Sequence, residues 1–248
     1  MKVISMVPSW TETLLCAGVD VVGRTRFCLH PQDKIAEIAN VGGTKDISWD
    51  KVRNLHADFL LLDREENTKE MASDSPIENL VSHICEVSDI APFLKMLGER
   101  LQNTTLLDYS ERWHKIAKHK SAVRSLREIP RIQEWVTPWK ETCEQFVYLI
   151  WRDPWMCVST NTFIGSVFEH LGLRKYHWGN EEKYPQIDLN AFDREKTLLL
   201  CSTEPYPFYR KKEELQDLGF SCAIIDGEPY SWFGYRSLLF LEENSCLA

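Results

Sequence analysis

The chain is 248 residues long, with 44% hydrophobic and 27% charged residues, which is ordinary for a globular protein and sufficient for two lobes with separate cores. A net charge of −8 disfavours nucleic-acid binding, because phosphate contacts need a surplus of Lys and Arg. No apolar run approaches the ~20 residues that a membrane-spanning helix needs.

Strand and helix signals alternate through the first hundred residues. Residues 3–7 are apolar and partly β-branched, which predicts a buried strand, and Ser9 to Glu12 has the pattern of a capping box for the next helix. Val19 to Thr25, Asp58 to Asp63 and Ser82 to Val87 predict further strands, with helices between and after them. This βαβα order predicts a mostly parallel sheet with helices on both faces.

A single long helix is predicted over about Thr105 to Ile129, where neither Gly nor Pro occurs. About 24 residues at a 1.5 Å rise would span roughly 36 Å, the width of a domain, so this helix could connect two lobes. Its apolar residues recur at helical spacing and form one stripe: Leu106, Tyr109, Trp113, Ile116, Val123 and Leu126.

The second half repeats the strand and helix alternation. The predicted strands are Phe146 to Trp151, Thr197 to Cys201 and Cys222 to Ile225; the predicted helices are Asn161 to Leu171, Pro207 to Leu218 and Tyr235 to Glu243. Residues 132–145 carry no clear signal. The fold class predicted is α/β, with two Rossmann-like lobes of mostly parallel sheet joined by one long backbone helix. The predicted domains are 1–103, the connecting helix 104–129, and 130–248.

The eight cysteines are scattered and include no CxxC pair. Several fall in apolar segments, where a free Cys behaves as a small hydrophobe: Cys16, Cys85, Cys201 and Cys222. Because the first predicted strand also leaves no room for a leader, the sequence as it stands indicates a cytoplasmic protein with free thiols. Removal of a leader from a periplasmic protein is the alternative.

Several segments, in their order and spacing, resemble the helical-backbone (class III) periplasmic binding proteins, which include the cobalamin, ferric-siderophore and haem receptors of ABC importers. The resemblance covers nearly the whole chain and rests on Val7–Glu12, Val22–Pro31, Val41–Thr44, Ala57–Leu61, Tyr148–Trp155 and Asn161–Ile164.

The resemblance implies non-catalytic binding of a small metal chelate or tetrapyrrole-like ligand in a cleft between the lobes. Ligand sites of open α/β sheets lie beyond the carboxyl ends of the strands, and apolar walls with few polar anchors suit such a ligand. No resident cofactor is assigned; a metal chelate would be the ligand. The residues expected at the site are Phe27, His30, Thr44, Arg64, Arg152, Trp155, Glu228, Tyr230 and Trp232.

Several of these residues have an alternative interpretation. His30 could line the site or ligate a metal, while neighbouring Cys28 is more typical of packing than of a nucleophile. Arg152 could bind a carboxylate or phosphate, or only pair with Asp153. Glu228 could anchor a ligand or cap a turn. The three aromatic residues of the set, Trp155, Tyr230 and Trp232, could instead belong to an ordinary core.

The resemblance also suggests an ABC permease as a partner, docked through one acidic residue on each lobe. Glu204 is the candidate in the second lobe, whereas Lys69 stands near the acidic position of the first. This departure leaves a second functional class open: a cytosolic enzyme or small-molecule sensor derived from the same scaffold.

Overall fold

The computed structural model describes residues 1–119, 121–173 and 182–245, which divide into two compact units. The N-terminal unit comprises Met1–Ala117 and Trp232–Leu239. The C-terminal unit comprises the described residues of 118–231 and 240–248. The segment Trp232–Leu239, placed in the second lobe by the sequence-based division, therefore belongs to the N-terminal unit.

The N-terminal unit contains a five-stranded sheet in which all neighbouring strands are parallel and the order is β3-β2-β1-β4-β5. Parallel neighbours need crossover connections, and one helix follows each of the first four strands. The predicted parallel α/β arrangement is thus confirmed. The strands are β1 (Lys2–Ser5), β2 (Asp20–Thr25), β3 (Ala39–Gly42), β4 (Phe59–Asp63) and β5 (Asn79–Ser82). The helices are α1 (Pro8–Cys16), α2 (Gln32–Ile35), α3 (Trp49–Asn54), α4 (Lys69–Ser73), α5 (Ile90–Leu101) and α6 (Thr104–Lys118).

The centre of this sheet is buried on both faces. Every residue of β4 is buried, which explains why its sequence is a continuous apolar run without alternation. On one face, side chains from β1 and β4 pack against α3 and α4, with Ile4, Leu60, Val52 and Met71 among the contacts.

The C-terminal unit contains a second five-stranded sheet, in the order β6-β10-β9-β7-β8. Its three central strands are parallel, and the two edge strands are antiparallel to their neighbours. The strands are β6 (Ile132–Thr137), β7 (Gln145–Trp151), β8 (Met156–Cys157), β9 (Thr197–Ser202) and β10 (Ser221–Ile225). The helices are α7 (Phe163–His170), α8 (Lys212–Gln216) and α9 (Glu228–Ser231). The last helix, α10 (Tyr235–Asn244), has its first five residues in the N-terminal unit and the rest in the C-terminal unit.

Aromatic residues fill one side of the C-terminal core. The rings of Phe146, Tyr148, Phe168, Tyr230 and Phe240 are buried, with centroids of contacting pairs 4.8–6.0 Å apart. The hydroxyl of Tyr230 donates a hydrogen bond to a backbone carbonyl at 2.7 Å, so its polar end is satisfied inside the unit.

The predicted capping box of the first helix is wrong. Helix α1 begins at Pro8, with Val7 as N-cap and no side-chain cap. Proline suits this first helical position because the N–H that it lacks would have no intrahelical partner. Glu12 is thereby available for a different role, an ion pair with Arg236.

The predicted long helix is wrong in its second half, because α6 ends at Lys118. Beyond it, the Ser121 hydroxyl donates to the carbonyl of His170, and the Arg124 amide donates to that of Gly172 at 3.0 Å. These tertiary hydrogen bonds take the place of helical ones. The apolar stripe does not continue either, since Val123 is 66% exposed.

Two smaller boundaries also differ from the prediction. Strand β5 is Asn79–Ser82, so the predicted strand Ser82 to Val87 is placed too late, and His83 and Cys85 follow the strand instead of lying within it. The unassigned residues 132–145 contain β6, an antiparallel edge strand that pairs with β10.

Hydrogen exchange tests where the connecting helix ends. We expect slow exchange of the backbone amides in the interior of α6 and loss of the continuous helical protection pattern after Lys118, because 121–125 is not helical. The measurement is amide exchange followed by NMR or mass spectrometry. Protection that continues without a break to Ile129 would contradict the boundary.

Candidate functional site

The loops after β2, β3 and β4 all leave the same edge of the N-terminal sheet, since its strands are parallel. In such sheets this carboxyl edge is where ligands bind. The loops carry four predicted site residues, Phe27, His30, Thr44 and Arg64. We call this edge, together with the segment Trp232–Arg236, the N-terminal edge.

A histidine and a tryptophan meet at the N-terminal edge. The rings of His30 and Trp232 contact each other edge to face, with centroids 5.5 Å apart and an interplanar angle of 72°. Both side chains are partly exposed. The pairing brings together two residues that the sequence placed at the site.

A nearly buried ion pair fixes Trp232. The guanidinium of Arg236 lies over the Trp232 ring, 5.3 Å from its centroid, and donates two hydrogen bonds to the Glu12 carboxylate at 2.6 and 3.0 Å. Glu12 belongs to α1 and is only 7% exposed. Helix α1 therefore orients the tryptophan through a bidentate charge-assisted contact, which sequence reasoning missed because 224 residues separate the partners.

A second ion pair ties the loop after β2 to the loop after β3. Arg26 donates two hydrogen bonds to Asp46, at 2.8 and 3.0 Å, and these lower the pKa of the Asp46 carboxyl below its ordinary value. The same guanidinium stacks on Phe27, 4.9 Å from the ring centroid. Phe27 is held in this way while 49% of its surface stays exposed, so it can offer an apolar contact.

Thr44 and Arg64 are positioned through their backbones. The Thr44 carbonyl accepts a hydrogen bond from the Asn67 side-chain amide at 2.9 Å, and the Arg64 amide donates to the Ser82 carbonyl at 3.0 Å. The Arg64 side chain is exposed. The loop after β3 is thus tied to the loop after β4, and the loop after β4 is tied to the end of β5.

Cys28 is a packing residue. It is 1% exposed, and its sulfur contacts the hydroxyls of Thr11 and Thr25 at 3.1 and 3.2 Å. Burial raises the pKa of its thiol, so the reactive thiolate is disfavoured. Within the described parts of the chain, His30 belongs to no group of three side chains that could hold a metal ion; that group is Glu65, His83 and Cys85.

The carboxyl ends of β7, β9 and β10 form the corresponding edge of the C-terminal sheet, which we call the C-terminal edge. Arg152 and Trp155 follow β7, and the guanidinium lies 5.5 Å from the Trp155 ring centroid. The main charged partner of Arg152 is Glu214, with Asp153 more distant at 3.9 Å. The predicted pairing with Asp153 is therefore secondary, because the guanidinium already pairs with the Glu214 carboxylate of α8.

Aromatic rings continue along the C-terminal edge. Trp155 stacks parallel to buried Phe208 at 6.2 Å, and Tyr206 contacts both Phe208 at 4.7 Å and Trp151 at 5.4 Å. Trp151 is 41% exposed. Trp151 and Tyr206 were not among the predicted site residues, although Trp151 ends β7 and Tyr206 lies in the segment after β9.

The two remaining predicted site residues, Tyr230 and Glu228, differ in burial. Tyr230 has no exposed surface and belongs to the aromatic core, so its expected role in lining the site is wrong. Glu228 is partly exposed and begins α9, and its amide donates to the Asp226 carboxylate at 3.3 Å. Glu204, the candidate docking residue, is also partly exposed and follows β9, where its amide donates to Ser202 at 3.2 Å.

The Glu12–Arg236 ion pair gives a stability prediction. Arg236→Met should lower the free energy of unfolding by about 1.5–3 kcal/mol, because it leaves a nearly buried carboxylate without its charged donor. Arg53→Met is the matched control: its pair with Asp50 is exposed and should change stability by less than about 0.5 kcal/mol. Urea unfolding measures both, and equal losses would contradict the special position of Arg236.

Comparison with known proteins identifies the fold. No protein-family model and no curated protein matches the chain. Solved structures do match: the periplasmic vitamin B12 binding protein of Vibrio cholerae has 14% identity and a TM-score of 0.67, covering 98% of this chain and 94% of its own. A periplasmic haem binding protein from Pseudomonas aeruginosa has 17% identity and a TM-score of 0.67, with coverage of 100% and 93%. Staphylococcus aureus IsdE, complexed with haem, has 10% identity and a TM-score of 0.69, with coverage of 98% and 96%.

These matches cover nearly the full length of both chains at low sequence identity, so what they share with this chain is the fold. The fold predicted from the resemblance is confirmed: the chain has the fold of the periplasmic binding proteins for vitamin B12 and haem.

Proposed function

We propose that the chain binds a small metal chelate or tetrapyrrole-like molecule and does not transform it. Proteins of this fold include binding proteins for vitamin B12 and haem and an ABC transporter substrate-binding protein. One fold can host many ligands, so the proposal rests on the chemistry of the N-terminal edge as well.

The observation that carries the proposal is the His30–Trp232 pair. Flat conjugated ligands bind to aromatic faces and edges, and a partly exposed imidazole can donate a hydrogen bond or ligate the metal of a chelate. Arg236 holds the Trp232 ring in place before any ligand arrives, which reduces the ordering cost of binding. Exposed Phe27 adds apolar surface on the same loop as His30.

The C-terminal edge supplies a second set of predicted contacts, which stay predictions. Trp155 and the exposed Trp151 offer aromatic surface, and Glu228 offers a carboxylate. Arg152 is a weaker candidate anchor because Glu214 already compensates its charge. Tyr230 contributes to the core and not to binding.

The alternative of an enzyme finds no support in Cys28, the candidate nucleophile that the sequence places two residues before His30. Cys28 is buried, its sulfur contacts two threonine hydroxyls, and burial raises the pKa of its thiol. Docking of Glu204 on an ABC permease belongs to the alternative in which the chain acts in the periplasm, as the structural neighbours do. Among the described residues, no helix is both long and apolar enough to cross a bilayer.

We also propose that the protein resides in a reducing compartment. No disulfide joins any of the seven described cysteines, including Cys201 and Cys222, whose sulfurs lie 3.6 Å apart on neighbouring strands. Both are buried and packed in the C-terminal core, where thiols behave as small apolar groups.

Thiol titration tests the compartment. Protein unfolded without reductant should react at close to eight thiols, the number of cysteines in the sequence. Peptide mapping supplies the control for incidental air oxidation. Six or fewer thiols with defined disulfides would indicate an oxidising compartment and contradict the proposal.

Ligand titration tests the binding function. Cobalamin, haem and a ferric siderophore are the probes, and at least one should quench tryptophan fluorescence and raise the thermal midpoint. Trp232→Ala and His30→Ala should each weaken its binding by about tenfold or more, since about 1.4 kcal/mol corresponds to a factor of ten and a stacked aromatic contributes about that much.

Trp135→Ala is the control, because Trp135 is an exposed tryptophan on edge strand β6, where it contacts Trp139. It should bind the ligand as wild type does. If none of the three probes changes either signal, or if Trp232→Ala and Trp135→Ala bind alike, the proposal fails.

A further inference from the structure

Three side chains of different chemistry meet beside the loops already described. Glu65 follows β4, and His83 and Cys85 follow the neighbouring strand β5. The Cys85 sulfur lies 3.1 Å from His83 Nε2 and 3.8 Å from Glu65 Oε1, and the nitrogen and the carboxylate oxygen are 3.9 Å apart. A thiol, an imidazole and a carboxylate thus face one small volume.

We propose that Glu65, His83 and Cys85 form a binding site for a zinc-class divalent cation, with water as the fourth ligand. Thiolate sulfur, imidazole nitrogen and carboxylate oxygen are the donors that Zn²⁺ accepts, and three protein ligands with one open position is a recurrent zinc arrangement. The site is separate from the His30–Trp232 pair and does not depend on the proposed ligand-binding function.

The spacing of the three donor atoms suits a tetrahedral ion. With zinc bonds of about 2.3 Å to sulfur and about 2.0–2.2 Å to nitrogen and oxygen, tetrahedral angles place the donors roughly 3.4–3.6 Å apart. The three separations of 3.1, 3.8 and 3.9 Å lie within about 0.5 Å of that range. Rotation of side-chain torsions closes such a gap without moving the backbone.

The backbone that carries the ligands is fixed by hydrogen bonds to side-chain carboxylates. The Asp63 carboxylate accepts the Glu65 amide at 2.9 Å and the Ser82 hydroxyl at 2.6 Å, and so holds the residue before His83 as well. The Cys85 amide donates to Asp89 at 2.9 Å. These contacts fix the backbone positions from which the three side chains reach the site.

The ligands are also accessible. The His83 side chain is 45% exposed and that of Glu65 is 30% exposed, so an ion and a coordinated water can reach the site. Cys85 was expected in an apolar strand as a buried thiol; its position after β5 and its partial exposure contradict that expectation and make it available as a thiolate ligand.

Cobalt titration tests the site. The full-length chain, stripped with a chelator, is titrated with Co²⁺, whose tetrahedral thiolate complexes have a charge-transfer absorption, and then with Zn²⁺. We expect one Co²⁺ per chain with that absorption, displaced by Zn²⁺. Cys85→Ser should abolish the charge-transfer absorption, and His83→Gln and Glu65→Gln should weaken binding by at least about tenfold, as even outer-shell losses do.

Matched controls separate this site from others. Cys16→Ser and His114→Gln remove a partly exposed thiol and an exposed imidazole elsewhere in the unit and should bind Co²⁺ as wild type does. His30 and Trp232 are unchanged in all of these variants, so a failure of the chelate-binding proposal would not affect this test. Circular dichroism checks that each variant folds. If one ligand variant does not fold, the other two still test the site.

A chain that gives no thiolate charge-transfer absorption at stoichiometric Co²⁺ would overturn the proposal. So would an absorption that survives Cys85→Ser, or one that the control substitutions reduce as strongly as the ligand substitutions. In each of these three cases the side chains would form only an ordinary surface cluster.

Discussion

The buried carboxylate of Asp63 and the amide of its neighbour Asn67 hold the N-terminal edge together. Asp63 binds the turn after β4 and the end of β5. The Asn67 side chain accepts from the Asp63 amide and donates to the carbonyls of Met6 and Thr44. These two side chains therefore link the carboxyl ends of β1, β3, β4 and β5 or the loops that follow them. Because both side chains are buried, their hydrogen bonds meet little competition from water.

The fold and the function stand on different grounds. Parallel strands buried on both faces produce the two sheets, and proteins that bind vitamin B12 and haem share them at 10–17% identity. What this chain adds is local: an ion pair that fixes Trp232 against His30 at the N-terminal edge, and exposed aromatic rings at the C-terminal edge. These side chains, and not the sheets, carry the proposed specificity for a flat, metal-containing ligand.

Sequence patterns predicted what local physics determines. The continuous apolar runs of β4 and β9 were placed almost to the residue, because burial on both faces leaves an unambiguous signal. The end of α6 was missed, since distant carbonyls decide where Ser121 and Arg124 bond. The candidate site was predictable as a set of residues that follow strand ends, but the contacts between its side chains were not. Arg236 pairs with Glu12 from the other end of the sequence. Cys85 is a candidate ligand because β5 ends before it, which the apolar pattern did not predict.

Native mass spectrometry of the full-length protein purified from its own host tests the central claim most directly, because it detects the natural ligand without choosing a probe. The account predicts a non-covalent complex whose released ligand contains a metal chelate or a tetrapyrrole ring, and a much smaller bound fraction for Trp232→Ala. A bound molecule with neither feature, or equal occupancy of wild type and Trp232→Ala, would contradict it.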